Sequence, residues 1–243
     1  MTLDSDSTKH SLHKVTLLKT TPKITSEELF SHKKCYMGIS LTNPVFQGRA
    51  LEALVNWMTD RFQHCLVVIG DVLWRYNEQI FSGLDPEKAQ TRAQQLGDTF
   101  IEQTKRLFRS LPNDRLELTR WQSHLETPEF LKSKKQLNLL FESDTEFRSA
   151  VQRDAYSFIR RQAKQNRDFA VPTEKAIELS SQYLLEEIAV FSSLSEQGWH
   201  VELYPGPELK VLIDIAKGKY RNVPKGLTER INVELSVGEK VEP

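Results

Sequence analysis

The 243-residue chain is long enough to bury one large hydrophobic core or two smaller ones. Its 33 lysines and arginines balance 33 aspartates and glutamates, so the formal net charge is zero. This excludes a globally basic nucleic-acid-binding protein, although a neutral chain can still carry a local basic patch. Nowhere do 18 apolar residues follow one another, and the polar first residues contain no signal-peptide pattern. We therefore expect a cytoplasmic protein without a membrane-spanning helix.

The apolar residues fall in periodic blocks that predict a single domain over residues 13–237. Residues 1–12 are predicted to be a disordered tail and residues 238–243 a charged second tail. Strands are predicted over residues 15–18, 35–40, 65–70, 115–119, 199–204 and 231–235. Helices are predicted over residues 51–62, 86–111, 174–194 and 208–216, with two more between 127 and 166 that are joined near 143–144. Because strands alternate with helices, we expect an α/β fold with a largely parallel sheet flanked by helices.

Three polar residues stand where helices are predicted to begin. Asp85 precedes Pro86, Thr127 precedes Pro128, and Thr173 precedes another periodic run. Asp and Thr side chains accept hydrogen bonds from the free N–H groups of a first helical turn, and proline is tolerated at the first helical position. We therefore place helix N-termini at these residues.

A serine follows the buried strand around which the other elements are predicted to pack. The stretch Cys35–Ile39 is largely apolar, and Ser40 opens the loop before Pro44. Open α/β sheets usually bind ligands at the carboxyl ends of their strands, so Ser40 is a candidate nucleophile. A nucleophile elbow would have glycine where Thr42 stands, and no histidine lies in a recognisable triad context. From these residues alone, Ser40 is either a nucleophile or a loop hydroxyl.

Tyr183 and Glu187 are four residues apart on a predicted core helix and therefore share one helix face. A phenol and a carboxylate so placed can converge on a substrate amine, and burial would raise the pKa of the carboxyl group towards that of a useful base. The alternative is a half-exposed tyrosine beside a solvated glutamate. Tyr204 ends another predicted strand, either at the sheet edge expected for Ser40 or simply before a stiff turn.

The sequence carries no signature of a cofactor or a metal site. Gly-x-Gly-x-x-Gly, Walker and zinc-ligand spacings are absent. Cys35 and Cys65 lie in predicted strands, where a free thiol behaves as a small hydrophobic group. We therefore expect neither a cofactor nor a metal.

Basic residues cluster on three predicted helices and could give a neutral protein the local positive surface that a phosphate backbone requires. Solvated helix faces are the alternative interpretation. The clusters are Lys105, Arg106 and Arg109; Lys132, Lys134 and Lys135; and Arg153, Arg160, Arg161, Lys164 and Arg167.

Several of these segments, taken in order and spacing across residues 35–237, resemble the tRNA-dependent cyclodipeptide synthases. The joint pattern is much more specific than any one part. It consists of Gly38-Ile39-Ser40-x-x-Asn43-x-x-Phe46, the apolar strand up to Asp71, Leu125-Glu126-Thr127-Pro128-Glu129-Phe130, Tyr183-Leu184-Leu185-Glu186-Glu187, and Tyr204. The resemblance implies a Rossmann-like domain similar to the catalytic domain of class I tyrosyl- and tryptophanyl-tRNA synthetases, without their ATP-binding signatures.

The resemblance also implies a ping-pong acyl transfer between two aminoacyl-tRNAs, without ATP. Ser40 would attack the ester of the first substrate, which needs no histidine base because the ester is already activated. Tyr183 and Glu187 would hold the ammonium group, Glu187 would accept a proton when an amine attacks, and Tyr204 would assist ring closure to a diketopiperazine. The implied protein is an aminoacyltransferase, expected to be a monomer, with two aminoacyl-tRNAs as its partners.

Two side-chain pockets and a tRNA-binding surface follow from the same resemblance. The bulk of Tyr36 and Phe191 predicts a small first side chain, and Arg161 predicts an acidic second one. The first pocket would contain Tyr36, Gly38, Val68, Gly70, Val190, Phe191 and Glu202. The second would contain Asp154, Ser157, Phe158 and Arg161. The tRNA would contact Lys105, Arg106, Arg109, Arg160, Lys164 and Arg167.

The family has two branches, which differ at three positions. Tyr204-Pro205 points to the branch with a Tyr-Pro pair, whereas Asn43, grouped here with the substrate-binding residues, falls at a position that varies in that branch.

Two other functions are alternative interpretations of the same residues. One is a non-catalytic tRNA- or RNA-binding α/β protein with a structural serine loop, and the other is a serine hydrolase, for which a general base and a second glycine are missing.

Overall fold

Six strands form one sheet in the computed structural model, which describes residues 13–109, 115–165 and 173–239. The strands are β1 (His13–Thr21), β2 (Lys34–Ile39), β3 (His64–Ile69), β4 (Leu116–Arg120), β5 (Val201–Tyr204) and β6 (Ile231–Glu239). Their order across the sheet is β1-β6-β5-β2-β3-β4, and of these strands β1 alone runs antiparallel to its neighbour, β6. The largely parallel sheet confirms the α/β fold that the alternation of elements predicts.

Helices cover both faces of this sheet. They are α1 (Ser26–Ser31), α2 (Gly48–Thr59), α3 (Arg75–Phe81), α4 (Pro86–Arg109), α5 (Pro128–Ser143), α6 (Thr145–Gln165), α7 (Glu174–Glu196), α8 (Lys210–Ala216) and α9 (Lys225–Glu229). Short 3₁₀ helices lie at Pro44–Phe46, Val72–Trp74 and Trp121–His124. Side chains of α2 and α4 pack into the core on one face, and those of α5, α6 and α7 into the core on the other. In the described ranges no helix is long and apolar enough to cross a membrane.

The three predicted N-caps are confirmed by their hydrogen bonds. Asp85 accepts from the Lys88 N–H at 3.0 Å, and Thr127 accepts from the Phe130 N–H at 3.3 Å. Thr173 accepts from the third N–H of α7 at 3.2 Å. Each side chain satisfies a backbone donor that the first helical turn leaves free.

The strand order reverses beside β2. The chain passes from β2 to β3 and β4 on one side and later adds β5 on the other. Such a switch point leaves a crevice at the carboxyl ends of the two central strands, because the connections leave them in opposite directions. Ser40 follows β2 directly and Tyr204 ends β5, so both residues border this crevice.

Two helices do not follow from hydrophobic periodicity. α3 buries Asn77 and Glu78, so its inner face is not apolar, and α9 has five residues, too few to show a repeat. β6 continues through Glu239, into the segment that is predicted to be a tail, because it pairs with β1 from Asn232 to Glu239. The predicted tail over residues 1–12 and the predicted helix end at Leu111 lie outside the described residues.

Candidate active site

A cavity of about 510 Å³ opens at the carboxyl ends of β2, β3 and β5. The four residues expected to carry chemistry, Ser40, Tyr183, Glu187 and Tyr204, all line it. The other predicted residues on its wall are Gly38, Asn43, Gly70, Phe158, Arg161, Phe191 and Glu202. The fold therefore brings distant parts of the sequence into one place.

The backbone that carries Ser40 is fixed on both sides. In the loop after β2, the Asn43 N–H donates to the Ser40 carbonyl at 3.0 Å, and the Asn43 side chain accepts from the Val45 N–H at 3.1 Å. At the end of β3, a Cβ added to Gly70 would lie 2.8 Å from the Ile39 carbonyl oxygen, so only glycine lets the two strand ends approach this closely. Within the described ranges, no side chain hydrogen-bonds to the Ser40 hydroxyl.

α7 presents Tyr183 and Glu187 to the cavity from the same face, as their spacing predicts. The pKa of Glu187 is raised to about 8, mainly because burial disfavours the charged form of the carboxyl group. The charge of Glu202 contributes to this rise, whereas that of Arg230 opposes it. A carboxyl group with such a pKa changes charge close to neutral pH and can exchange a proton with an ammonium group.

Aromatic packing holds the two tyrosine rings. Tyr183 stacks on Phe158 with ring centroids 6.3 Å apart, and Tyr204 packs against Phe46 at 6.0 Å. Burial raises the pKa of both hydroxyls, with a further contribution from Glu187, and that of Tyr183 lies well above its usual value. Both phenols therefore stay protonated at neutral pH and can donate hydrogen bonds.

Asn43 links the serine loop to the end of β5. Its side chain lowers the pKa of the Tyr204 hydroxyl, against the larger effect of burial. Tyr204 and the turn that carries Ser40 therefore lie side by side on the cavity wall.

A buried ion cluster forms one wall of the cavity. Arg230 donates through Nε to Glu202 and through one terminal nitrogen to Glu208 at 2.6 Å. Its other terminal nitrogen donates to Asn232 Oδ1 at 3.4 Å, and the Tyr36 hydroxyl donates to Glu202 at 3.1 Å. Desolvation raises the pKa of Glu202, and the charge of Arg230 opposes that shift.

Sequence reasoning misses three members of this cluster, Glu208, Arg230 and Asn232. No spacing pairs them, since Glu208 and Arg230 are 22 positions apart and meet only because β5 pairs with β6. The one local signal is the alternation of apolar and polar residues in the last strand. It places the Asn232 side chain on the polar side of that strand but does not identify its partner.

The remaining predicted pocket residues lie around the cavity rather than on its wall. Tyr36, Val68 and Val190 are fully buried in the core. The bulk of Tyr36 therefore does not narrow the cavity, which removes one reason to expect a small first side chain. Asp154 accepts from a backbone N–H in the first turn of α8 at 2.8 Å, and Ser157 is half-buried on α6.

The basic residues expected to contact tRNA lie on α4 and α6, which pack into cores on opposite faces of the sheet. Lys105 is half-buried and pairs with Glu102 at 3.1 Å. The exposed members are Arg106, Arg109 and Arg160. The side chain of Lys164 and the whole of Arg167 lie outside the described residues.

The described part of the chain contains no group of three or more His, Cys, Asp or Glu side chains that could hold a metal ion. Cys35 and Cys65 are buried, with their sulfur atoms 3.8 Å apart and no disulfide between them. Their place in the paired strands β2 and β3 fits small core side chains.

A model of the cyclodipeptide synthase family matches residues 24–196 of the chain. This range includes Ser40, Tyr183 and Glu187 and ends before Tyr204. A comparison with curated protein sequences gives no match.

Solved cyclodipeptide synthase (CDPS) structures share the fold. A CDPS from Fluoribacter dumoffii has 21% identity and a TM-score of 0.78, and the match covers 94% of this chain and 100% of that one. A Mycobacterium tuberculosis protein, whose structure is described as demonstrating that cyclodipeptide synthetases are related to type I tRNA synthetases, has 14% identity and a TM-score of 0.72. The match covers 95% of this chain and 94% of that one. A synthase from Candidatus Glomeribacter gigasporarum, solved with Phe-tRNAPhe bound, has 18% identity and a TM-score of 0.60. The match covers 86% of this chain and 91% of that one.

Proposed function

The chain belongs to the cyclodipeptide synthase family, and on that premise we propose that it joins two aminoacyl groups, each delivered by a tRNA, into a cyclic dipeptide. The observation that carries the proposal is the convergence of Ser40, Tyr183, Glu187 and Tyr204 on one cavity at the strand ends. The relative solved with Phe-tRNAPhe supports aminoacyl-tRNA as the substrate class.

Ser40 starts the reaction by attacking the carbonyl carbon of the first aminoacyl ester. The bond from Oγ to that carbon forms, the bond from the carbon to the tRNA ribose oxygen breaks, and the serine proton ends on the released ribose hydroxyl. No histidine among the described residues hydrogen-bonds to the Ser40 hydroxyl as a general base would. An aminoacyl ester is already activated, so the attack is feasible without a strong base.

Tyr183 and Glu187 hold the ammonium group of the bound aminoacyl residue. The positive charge stabilises the carboxylate of Glu187 and lowers its pKa from about 8. Proton transfer to Glu187 then frees the amine, which attacks the ester carbon of the second aminoacyl-tRNA. An amide bond forms, the second tRNA leaves, and a dipeptidyl ester remains on Ser40.

Ring closure releases the product. The free amine of the dipeptidyl group attacks the ester carbon attached to Ser40, a second amide forms, and the serine oxygen takes back a proton. Tyr204 relays this proton, a role supported by its protonated state at neutral pH and by its place on the cavity wall with Ser40. The scheme needs no ATP, because each ester supplies the driving force for one amide.

We assign the chain to the branch with a Tyr-Pro pair because Pro205 follows Tyr204 on the cavity wall. The protein works as a cytoplasmic monomer, and basic side chains of α4 and α6, including the exposed Arg106 and Arg160, hold the tRNA backbone. Arg161 on the cavity wall favours an acidic second side chain, because a buried carboxylate needs a paired charge.

Expression in a bacterial host tests the function. Wild type is expected to release cyclic dipeptides into the medium, and Ser40→Ala to abolish them at unchanged expression, as measured by mass spectrometry. Ser31→Ala changes an exposed serine of α1 and is the matched control, expected to retain full production. Production by Ser40→Ala contradicts the proposed nucleophile. No cyclic dipeptide from well-expressed wild type contradicts the function and favours a non-catalytic RNA-binding protein.

A further inference from the structure

A short turn after β5 folds back onto the Tyr204 ring. The Gly206 N–H donates to the Tyr204 carbonyl at 3.1 Å, which closes a three-residue turn with Pro205 at its centre. The pyrrolidine ring of Pro205 restricts φ to about −65°, which is close to the value that the common form of this turn requires. All three residues line the cavity, so the Tyr204–Gly206 turn lies beside the reacting groups.

Gly206 leaves no room for a side chain beside this ring. A Cβ at Gly206 would lie 3.1 Å from Tyr204 Cε1 and 3.5 Å from Cδ1, so the ring or the turn would have to move by a few tenths of an ångström. Gly206 is not one of the glycines with a positive φ, so its backbone conformation is open to other residues. An alanine here therefore tests the contact with the ring and not the conformation of the turn.

Phe46 limits how far the Tyr204 ring can move. The centroids of the two rings are 6.0 Å apart, a distance at which tilted aromatic rings are in contact. Phe46 is itself fully buried in the core and cannot shift without disturbing its neighbours. The Tyr204 ring is therefore held by a core side chain and by the backbone of Gly206.

The Tyr204–Gly206 turn is anchored at both ends. Before the turn, Tyr204 pairs with Glu234 in the ladder between β5 and β6. After it, the buried side chain of Glu208 accepts from Arg230 at 2.6 Å. Because both ends are fixed, an added side chain at Gly206 would displace the Tyr204 ring rather than the turn.

Ring closure is the step that depends on where the Tyr204 hydroxyl lies. In this step the bond from the amine nitrogen to the ester carbon forms, the bond from that carbon to Ser40 Oγ breaks, and one proton passes from the nitrogen to Oγ. A relay through Tyr204 requires its hydroxyl within hydrogen-bond reach of both atoms. The hydroxyl is further from the Cβ pivot than Cε1 is, so a displacement at Cε1 is larger at the hydroxyl.

We propose that Gly206 is a positioning residue for ring closure, because its backbone keeps the Tyr204 hydroxyl where it can pass a proton to the serine oxygen; this rests on the proposed function. Gly206 acts through Tyr204, so it matters only in the step that uses this hydroxyl. The first transfer to Ser40 does not use it. A dipeptidyl ester that closes slowly stays on the enzyme and accumulates.

Gly206→Ala tests the contact one step at a time. The purified full chain is mixed with tRNAs charged with the two amino acids of the wild-type product, and intact-mass spectrometry follows the aminoacyl and dipeptidyl esters on Ser40. We expect the first ester to form within about two-fold of the wild-type rate, whereas ring closure slows about 10-fold and the dipeptidyl ester accumulates. Gly238→Ala is the matched control, since its added methyl group meets no atom within 4 Å, and it should behave as wild type.

The double variant Tyr204→Phe/Gly206→Ala shows whether Gly206 acts through the hydroxyl. Tyr204→Phe removes the relay, so the double variant should close the ring no more slowly than Tyr204→Phe alone. A further loss in the double variant overturns the inference. Wild-type ring closure in Gly206→Ala, or equal slowing of both steps, overturns it as well.

Pro205→Ala decides the inference if Gly206→Ala does not fold. It adds no atom but frees the centre of the Tyr204–Gly206 turn, so the same dipeptidyl ester should accumulate while the first ester forms normally. Wild-type ring closure in Pro205→Ala then overturns the inference and leaves the transfer function standing. No ester on the wild-type enzyme from any charged tRNA overturns the proposed function, and the inference falls with it.

Discussion

Arg75 forms a bidentate ion pair with Glu186, the residue that precedes Glu187 on α7. The two terminal nitrogens of Arg75 donate to the two carboxylate oxygens at 2.9 and 2.5 Å. Tyr76 and Trp121 donate to the same carboxylate at 3.1 and 3.2 Å, and Glu186 is 4% exposed. The pair joins α3 to α7 and so fixes the helix that carries two of the proposed catalytic groups.

Arg75→Ala is expected to lower the free energy of unfolding by about 3–5 kcal/mol, because it leaves the Glu186 charge buried without its counter-ion. Urea denaturation measures the loss. In the double variant Arg75→Ala/Glu186→Gln, much of the stability should return, since a neutral amide is cheaper to bury than a lone carboxylate.

Lys88→Ala supplies the control for this ion pair. It removes an exposed pair with Asp85 and should leave stability unchanged, because water screens such a contact. Equal stability of Arg75→Ala and wild type would show that the Arg75–Glu186 pair does not hold α3 to α7.

Thr127→Ala should cost about 1 kcal/mol of unfolding free energy, because it removes the cap of α5. The hydroxyl accepts from the Phe130 N–H and donates to the His124 carbonyl at 3.0 Å. Thr127→Ser keeps the hydroxyl and should retain most of the stability in the same urea titration. If serine and alanine at this position are equally destabilising, the loss comes from the methyl group and not from the cap.

Such caps show which features are predictable from sequence. The interaction of Thr127 with α5 is local, and so is the shared face of Tyr183 and Glu187, which needs only the helical repeat. The apolar run that becomes β3 is continuous enough to predict a buried central strand. Local patterns therefore predict the elements and the α7 face of the site.

The ion clusters could not be predicted in this way. Arg75 and Glu186 are 111 positions apart, and a charged residue beside apolar neighbours usually points to water rather than to a partner. Likewise, Glu208 and Asn232 become neighbours only through Arg230, once β5 and β6 pair. Contacts of this kind depend on the packing of whole elements and leave no periodic trace in the sequence.

Gly226→Ala is expected to destabilise the chain by about 3 kcal/mol or more through overpacking. A Cβ at this position of α9 would lie 2.1 Å from the Ser192 carbonyl oxygen in α7, and neither backbone can move without separating the helices. Thermal and urea unfolding measure the effect. Gly238→Ala, where an added Cβ meets no atom within 4 Å, should be close to neutral. Similar stability of the two variants would mean that α9 can move away from α7 at little cost.

Glu187→Gln should change how stability depends on pH. Burial raises the pKa of Glu187 from 4.5 to about 8, so between these pH values the folded chain keeps a proton that the unfolded chain has lost. The contribution of Glu187 to the free energy of unfolding is therefore fully present below about pH 4.5 and is lost as the pH rises towards about 8. Glutamine does not titrate, so the variant should lose less stability across this window in urea unfolding at a series of pH values. Ser40→Ala, in the same cavity, should keep the wild-type slope. Identical slopes for Glu187→Gln and wild type would mean that Glu187 titrates like an exposed carboxyl, which is incompatible with its proposed exchange of a proton with the substrate amine near neutral pH.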